Sequence, residues 1–157
     1  MRGYLALALS LCALTATAAP LTRSEHAIIM TLADAAGVPR SIADRLQIEE
    51  SGDPVTGAWG DPTKAGTAAP HCLGLYQLNP EFLAWFLDRF YPHPAQAFDW
   101  ANPLDNAVVA LGYLAWLHAR FGTWERALWY FNCGRVTDVP ESTREYARRI
   151  VEWNKED

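Results

Sequence analysis

Apolar residues recur at helical spacing along most of this 157-residue chain, and glycines and prolines divide the pattern into segments. The first segment runs from about Ser24 to Ala36. Ile28, Ile29, Leu32, Ala33 and Ala36 form its apolar stripe, and Gly37 supplies a stop. The second runs from about Ser41 to Ser51 and ends at Gly52. The stretch "GDPVTGAWGDPTKAGTAAPHC" that follows is rich in Gly, Pro, Thr and Asp and reads as loop or short strand. Asn79 and Pro80 open a helix through "EFLAWFLDRF". Asn102 and Pro103 open another, through "NAVVALGYLAWLHARF", which stops at Gly122. Thr123 caps "WERALWYFNC", which stops at Gly134, and Ser142 with Glu145 reads as a capping box for "TREYARRIVEW". The pattern predicts a mainly α single domain with one long loop insertion. Long ordered loops in small domains often carry function.

One position breaks the pattern. On a wheel with Ile42 at zero, Leu46 falls at about 40°, Glu50 at about 80° and Ala43 at about 100°. Glu50 thus lies inside the apolar stripe, with Glu49 at its edge and Ile48 well away from it. A carboxylate so placed faces apolar groups, lies at the negative end of the helix dipole and adjoins a like charge. Each disfavours its charged form. A carboxyl that keeps its proton near neutral pH is what a general acid requires. The competing reading is a solvated Glu-Glu pair on a fraying helix end.

The N-terminus reads separately. "MRGYLALALSLCALTATAAP" has a single early cation, Arg2, an apolar run from Tyr4 to about Leu14, and Ala16 and Ala18 in an A-x-A arrangement. This is the pattern of a secretory signal peptide over residues 1–18. The run is too short for a membrane span, and Leu11 before Cys12 argues against lipidation. The mature domain, residues 19–157, is therefore expected outside the cytoplasm, in the periplasm or cell envelope. There Cys72 and Cys133 could pair; two buried thiols are the alternative.

Composition narrows the function further. A net charge of −5 disfavours a nucleic-acid groove. Seven Trp, six Tyr and six Phe fit either a well-packed core or an aromatic-lined sugar cleft. His26, His71, His93 and His118 show no metal-ligand spacing.

The blocks "ESG", "GLYQLNP", "GYLAWL", "ALWYFNCG" and "TREYARRI", in this order from about Ser24 to Trp153, resemble the soluble lytic transglycosylase family of the lysozyme superfamily. The resemblance implies a lysozyme-like fold and peptidoglycan glycan strands as substrate. Glu50 would be the single acid, cleaving the β-1,4 bond between N-acetylmuramic acid and N-acetylglucosamine and leaving 1,6-anhydro ends. The substrate's own N-acetyl group would replace a second carboxylate. Carried over residue by residue, the resemblance implies substrate contacts at Ser51, Leu75, Tyr76 and Gln77, with Tyr76 in place of the usual Met. It implies further contacts around Tyr130, Phe131 and Asn132, with Asn132 bracing the wall. Thr67 and Glu141 stand near positions the family fills with Ser and Glu. Phe131 departs from the family's Tyr, and Tyr130 beside it is a candidate substitute. The resemblance also puts Cys72 and Cys133 at turns bordering the cleft, where a disulfide would pin its floor.

Two other functions fit the same fold. A hydrolytic, goose-type-like lysozyme would admit water and recruit Asp53 or Asp61 as a second carboxylate. A non-catalytic glycan-binding protein would keep the cleft and lose the chemistry. The chain is expected to be a monomer. Small single-domain members with signal peptides often accompany secretion systems, conjugation machinery or phage, so an envelope-spanning assembly is a partner by analogy alone.

Overall fold

The computed structural model describes residues 21–53, 56–60, 72–90 and 98–153. The signal-peptide reading and those on Thr67, Asp61, His71 and His93 lie outside the described residues. Six helices follow in order: α1 (Arg23–Ala36), α2 (Arg40–Ser51), α3 (Pro80–Phe90), α4 (Pro103–Phe121), α5 (Trp124–Cys133) and α6 (Glu141–Val151). Among the described residues there is no sheet, only two isolated bridges, Asp53 with Ala58 and Leu73 with Leu78.

Most of the expected punctuation is in place. The Asn102 side chain accepts from the Leu104 and Asp105 amides, and Thr123 accepts from Arg126. Asn79 accepts from the Glu81 amide at 2.9 Å. Gly37, Gly122 and Gly134 end their helices in the left-handed region. The capping box, however, belongs to the first helix and not the last. Thr22 and Glu25 satisfy each other's backbone amides at the start of α1. α6 starts earlier than expected, because the Thr143 and Arg144 amides both reach the Pro140 carbonyl. Ser142 therefore lies inside the helix, where no capping box can form.

α2 also differs from its wheel. Ile42, Ala43, Arg45, Leu46, Gln47, Ile48 and Ser51 are all buried, so burial surrounds the helix. Neighbours on several sides produce this: α2 packs against α1 and α6, α6 against α5, α5 against α4, and α4 back against α1. The result is a closed ring of helices, with α3 leaning on α4. Leu111, Leu114 and Leu117 on α4 and Leu128 on α5 fill its middle. Each fully buried leucine contributes roughly 1.5–3 kcal/mol relative to an exposed one.

The aromatic residues differ in burial. Tyr76, Phe86 and Tyr113 belong to the core, whereas Trp85 and Phe90 on α3 are exposed. No helix among the described residues is long and apolar enough to cross a membrane.

Candidate active site

Glu50 sits in the last turn of α2, half-buried, where α6 passes. Thr143, Tyr146, Ala147 and Ile150 form the buried stripe of α6 at helical spacing. That stripe delivers the Tyr146 hydroxyl to Glu50, to which it donates a short hydrogen bond at Oε1. Burial pushes the Tyr146 phenol well above its ordinary range, and the Glu50 charge pushes it the same way. The phenol therefore remains a donor at any physiological pH.

Glu49 has different company. Its side chain is 4% exposed. Arg45, one turn back on α2, reaches it at 2.7 Å, and Arg149 on α6 reaches it at 3.0 Å. The Arg45 guanidinium also lies 4.1 Å from the Trp153 ring centroid. The sequence reading placed Glu49 at the stripe's edge, as a charge that helps its neighbour stay protonated. That is corrected: two guanidiniums compensate Glu49, and it ties α2 to α6.

The turn after the loop packs against the end of α2. The Leu73–Leu78 bridge closes it, and Gly74 (φ 76°) and Gln77 (φ 47°) both adopt left-handed backbone. Gly74 cannot be replaced without conflict, since a Cβ there would fall 2.4 Å from Asn106 Nδ2 and from the Trp100 carbonyl. Asn106, a buried polar residue of α4, holds the turn from below. Its Oδ1 accepts from the Tyr76 amide at 2.8 Å, and its Nδ2 donates to the Leu73 carbonyl at 3.1 Å. Ser51 Oγ donates to the Leu75 carbonyl at 2.7 Å, so the end of α2 and the turn are joined directly.

Three expected substrate contacts are therefore structural. Tyr76 is fully buried with its hydroxyl on the Ala43 carbonyl, so it offers no stacking face. Leu75 is fully buried, and Ser51 is buried with its hydroxyl engaged. Gln77 is half-buried, and its amide nitrogen donates to the Gly74 carbonyl at 2.9 Å.

The remaining candidates spread along α5 and α6. Asn132 is exposed and accepts from Thr143 Oγ1 at 2.7 Å, joining the end of α5 to the start of α6. The Phe131 ring lies 5.7 Å from Tyr113, whereas Tyr130 packs on Phe121 at 5.2 Å. Neighbouring residues on a helix diverge in this way, so Tyr130 does not stand in at the Phe131 position. The hydroxyl that meets Glu50 comes from Tyr146. Glu141 is exposed at the start of α6, with Arg148 at 3.9 Å.

Cys72 and Cys133 are thiols with no bond between them, contrary to the expected disulfide. Their surroundings differ: Cys133 Sγ faces the Arg135 carbonyl, while burial and the Glu50 charge push the Cys72 thiol up. Asp53 accepts from Thr56 Oγ1 at 2.6 Å within its own turn. Among the described residues no group of three or more His, Cys, Asp or Glu side chains could hold a metal. A cavity of about 290 Å³ lined by Trp129, Arg144 and Arg148 includes neither Glu50 nor the turn.

Sequence reasoning missed Tyr146 and Asn106 as parts of the site. Tyr146 had a signal, since it closes the Thr-x-x-Tyr pattern in "TREY". Asn106 had a weaker one, a polar residue opening the apolar run "NAVVALGYL".

The family model for the transglycosylase SLT domain matches residues 33–154. No curated protein and no solved structure matches the chain.

Proposed function

The chain belongs to the transglycosylase SLT domain family, and on that premise we propose that it is a peptidoglycan lytic transglycosylase with Glu50 as its single acid and base. The observation that carries this reading is the Tyr146–Glu50 hydrogen bond at the end of α2. It holds one carboxyl oxygen and so orients the plane of the group. It also stabilises the carboxylate left after proton transfer, since hydrogen bonds to a charged acceptor are the stronger kind.

The reaction proceeds by internal displacement. Glu50 donates its proton to the glycosidic oxygen between N-acetylmuramic acid and N-acetylglucosamine, and the C1–O bond breaks. The substrate's N-acetyl carbonyl stabilises the positive charge developing at C1. Glu50, now a carboxylate, takes the proton of the C6 hydroxyl. O6 then bonds to C1 and closes the 1,6-anhydro ring. No water enters the balance, and no second carboxylate is required. Asp53, turned onto Thr56, gives no support to a water-activating partner. The enzyme acts where its substrate lies, in the cell envelope.

Digestion of purified peptidoglycan followed by analysis of the sugar ends tests the proposal. Anhydromuramic ends are the expected product. Reducing ends would assign a hydrolase, and intact glycan with retained binding would assign a glycan-binding protein.

A further inference from the structure

The segment that returns to Gly60 lies against Ser51, the residue after Glu50 at the end of α2, and it is held from behind. After Ser51 the chain leaves α2, bridges Asp53 to Ala58 and returns to Gly60. The return is close: a Cβ on Gly60 would fall 1.8 Å from Ser51 Oγ and 3.1 Å from Leu75 Cδ1. Two contacts fix it, and neither belongs to the reaction. The Gly60 amide donates to Gln47 Oε1 at 2.8 Å, and Gln47 is fully buried. Its Nε2 reaches Asp44 Oδ1 at 3.4 Å, and the same oxygen meets His26 Nε2 of α1 at 2.7 Å. The Trp59 indole lies on the His26 ring, with centroids 4.1 Å apart and planes 11° from parallel.

The residue types suit this chain of contacts. A glutamine alone among side chains of this length can accept from the Gly60 amide and donate to a carboxylate at the same time. Asp44 and Gln47 stand one turn apart on α2, and Gln47 stands one turn before Glu50. The contacts therefore run along the helix that carries Glu50, from α1 to the Gly60 amide.

We propose that His26, Asp44 and Gln47 form a brace that sets the Trp59–Gly60 segment as a wall beside Glu50 for glycan binding. These are positioning residues, and the inference rests on reading Glu50 as the acid of a glycan-cleaving site. The brace acts on how the strand is seated and not on proton transfer. Its loss raises KM and leaves kcat nearly unchanged.

The test combines steady-state kinetics on soluble glycan strands with hydrogen exchange at the Gly60 amide. Trp59→Ala and His26→Ala are expected to raise KM about five-fold, with kcat within about two-fold of wild type, as loss of a stacked pair implies. Both are expected to speed Gly60 exchange. Trp59→Phe keeps a ring face on His26 and is expected to restore wild-type KM and exchange. Unchanged KM in both alanine variants overturns the proposal, as does a fall in kcat at constant KM. A wild-type protein that cleaves no glycan rejects the reading of Glu50 alone. The brace is then judged on Gly60 exchange, and unchanged exchange in the alanine variants rejects it.

Discussion

Glu49 and Glu50 are adjacent in the chain, yet the side chain of one lies between Arg45 and Arg149 while the other meets the phenol of Tyr146. Both partners from α6 come from the same stretch of that helix, Tyr146 and Arg149, spaced so that each reaches a different glutamate. Glu49 is fully compensated by charge. Its contribution is to hold α2 against α6. Glu50 is matched with a neutral donor that stays neutral. Two identical side chains at one helix end thus take different roles through what the facing helix presents to them.

This contrast can be broken at several points. The largest effect is expected at Glu50. Replacement by Gln keeps the shape but removes the proton, and cleavage of peptidoglycan should fall by about 10²-fold or more, the usual worth of a positioned general acid. The same substitution at Glu49 should act on stability. It leaves the buried Arg45 without its anionic partner, which costs about 3 kcal/mol. Arg149 is half exposed and adds less than about 1 kcal/mol. The urea midpoint of Glu49→Gln should drop accordingly, with cleavage rates in the folded protein changing little.

Tyr146→Phe should be intermediate. Removing a hydrogen bond to a charged group is worth roughly 1.5–3 kcal/mol, so kcat should fall about ten- to a hundred-fold. Activity would remain, unlike in Glu50→Gln.

The smallest effect is on alkaline stability. The folded protein keeps the Tyr146 proton above the ordinary phenol value of 10.0, whereas the unfolded chain releases it there. Its stability is therefore fully present below pH 10.0 and declines as pH rises above it. Tyr76 and Tyr113, also raised by burial, carry the same sign. Tyr146→Phe should make the decline shallower by about 1.4 kcal/mol per pH unit, one proton's worth. A series of unfolding midpoints across alkaline pH measures this.

Much of the helical frame was legible in the sequence, because it rests on local chemistry. Asn79, Asn102 and Thr123 announce helix starts, and Gly37, Gly122 and Gly134 announce stops. The wheel also singled out Glu50 as a carboxylate at an apolar position. What the wheel could not supply was the number of neighbours α2 would acquire. A helix packed on several sides buries Ile48 and Arg45 as well as its stripe, and only tertiary contact decides that. The α6 partners of Glu49 and Glu50 lie about a hundred residues on, at Arg149 and Tyr146. The block containing Tyr146 was recognisable, but its contact with Glu50 was not. The turn around Gln77 was placed correctly in sequence and misread in orientation. Alternation along such a short turn does not say which side chains point inward, and Leu75 and Tyr76 do.

The most direct test is the rate at which new sugar ends form when purified peptidoglycan is treated with wild type, Glu49→Gln and Glu50→Gln at equal folded concentration. The account predicts anhydromuramic ends at comparable rates from wild type and Glu49→Gln, and almost none from Glu50→Gln. Loss of activity in Glu49→Gln with retention in Glu50→Gln would contradict it.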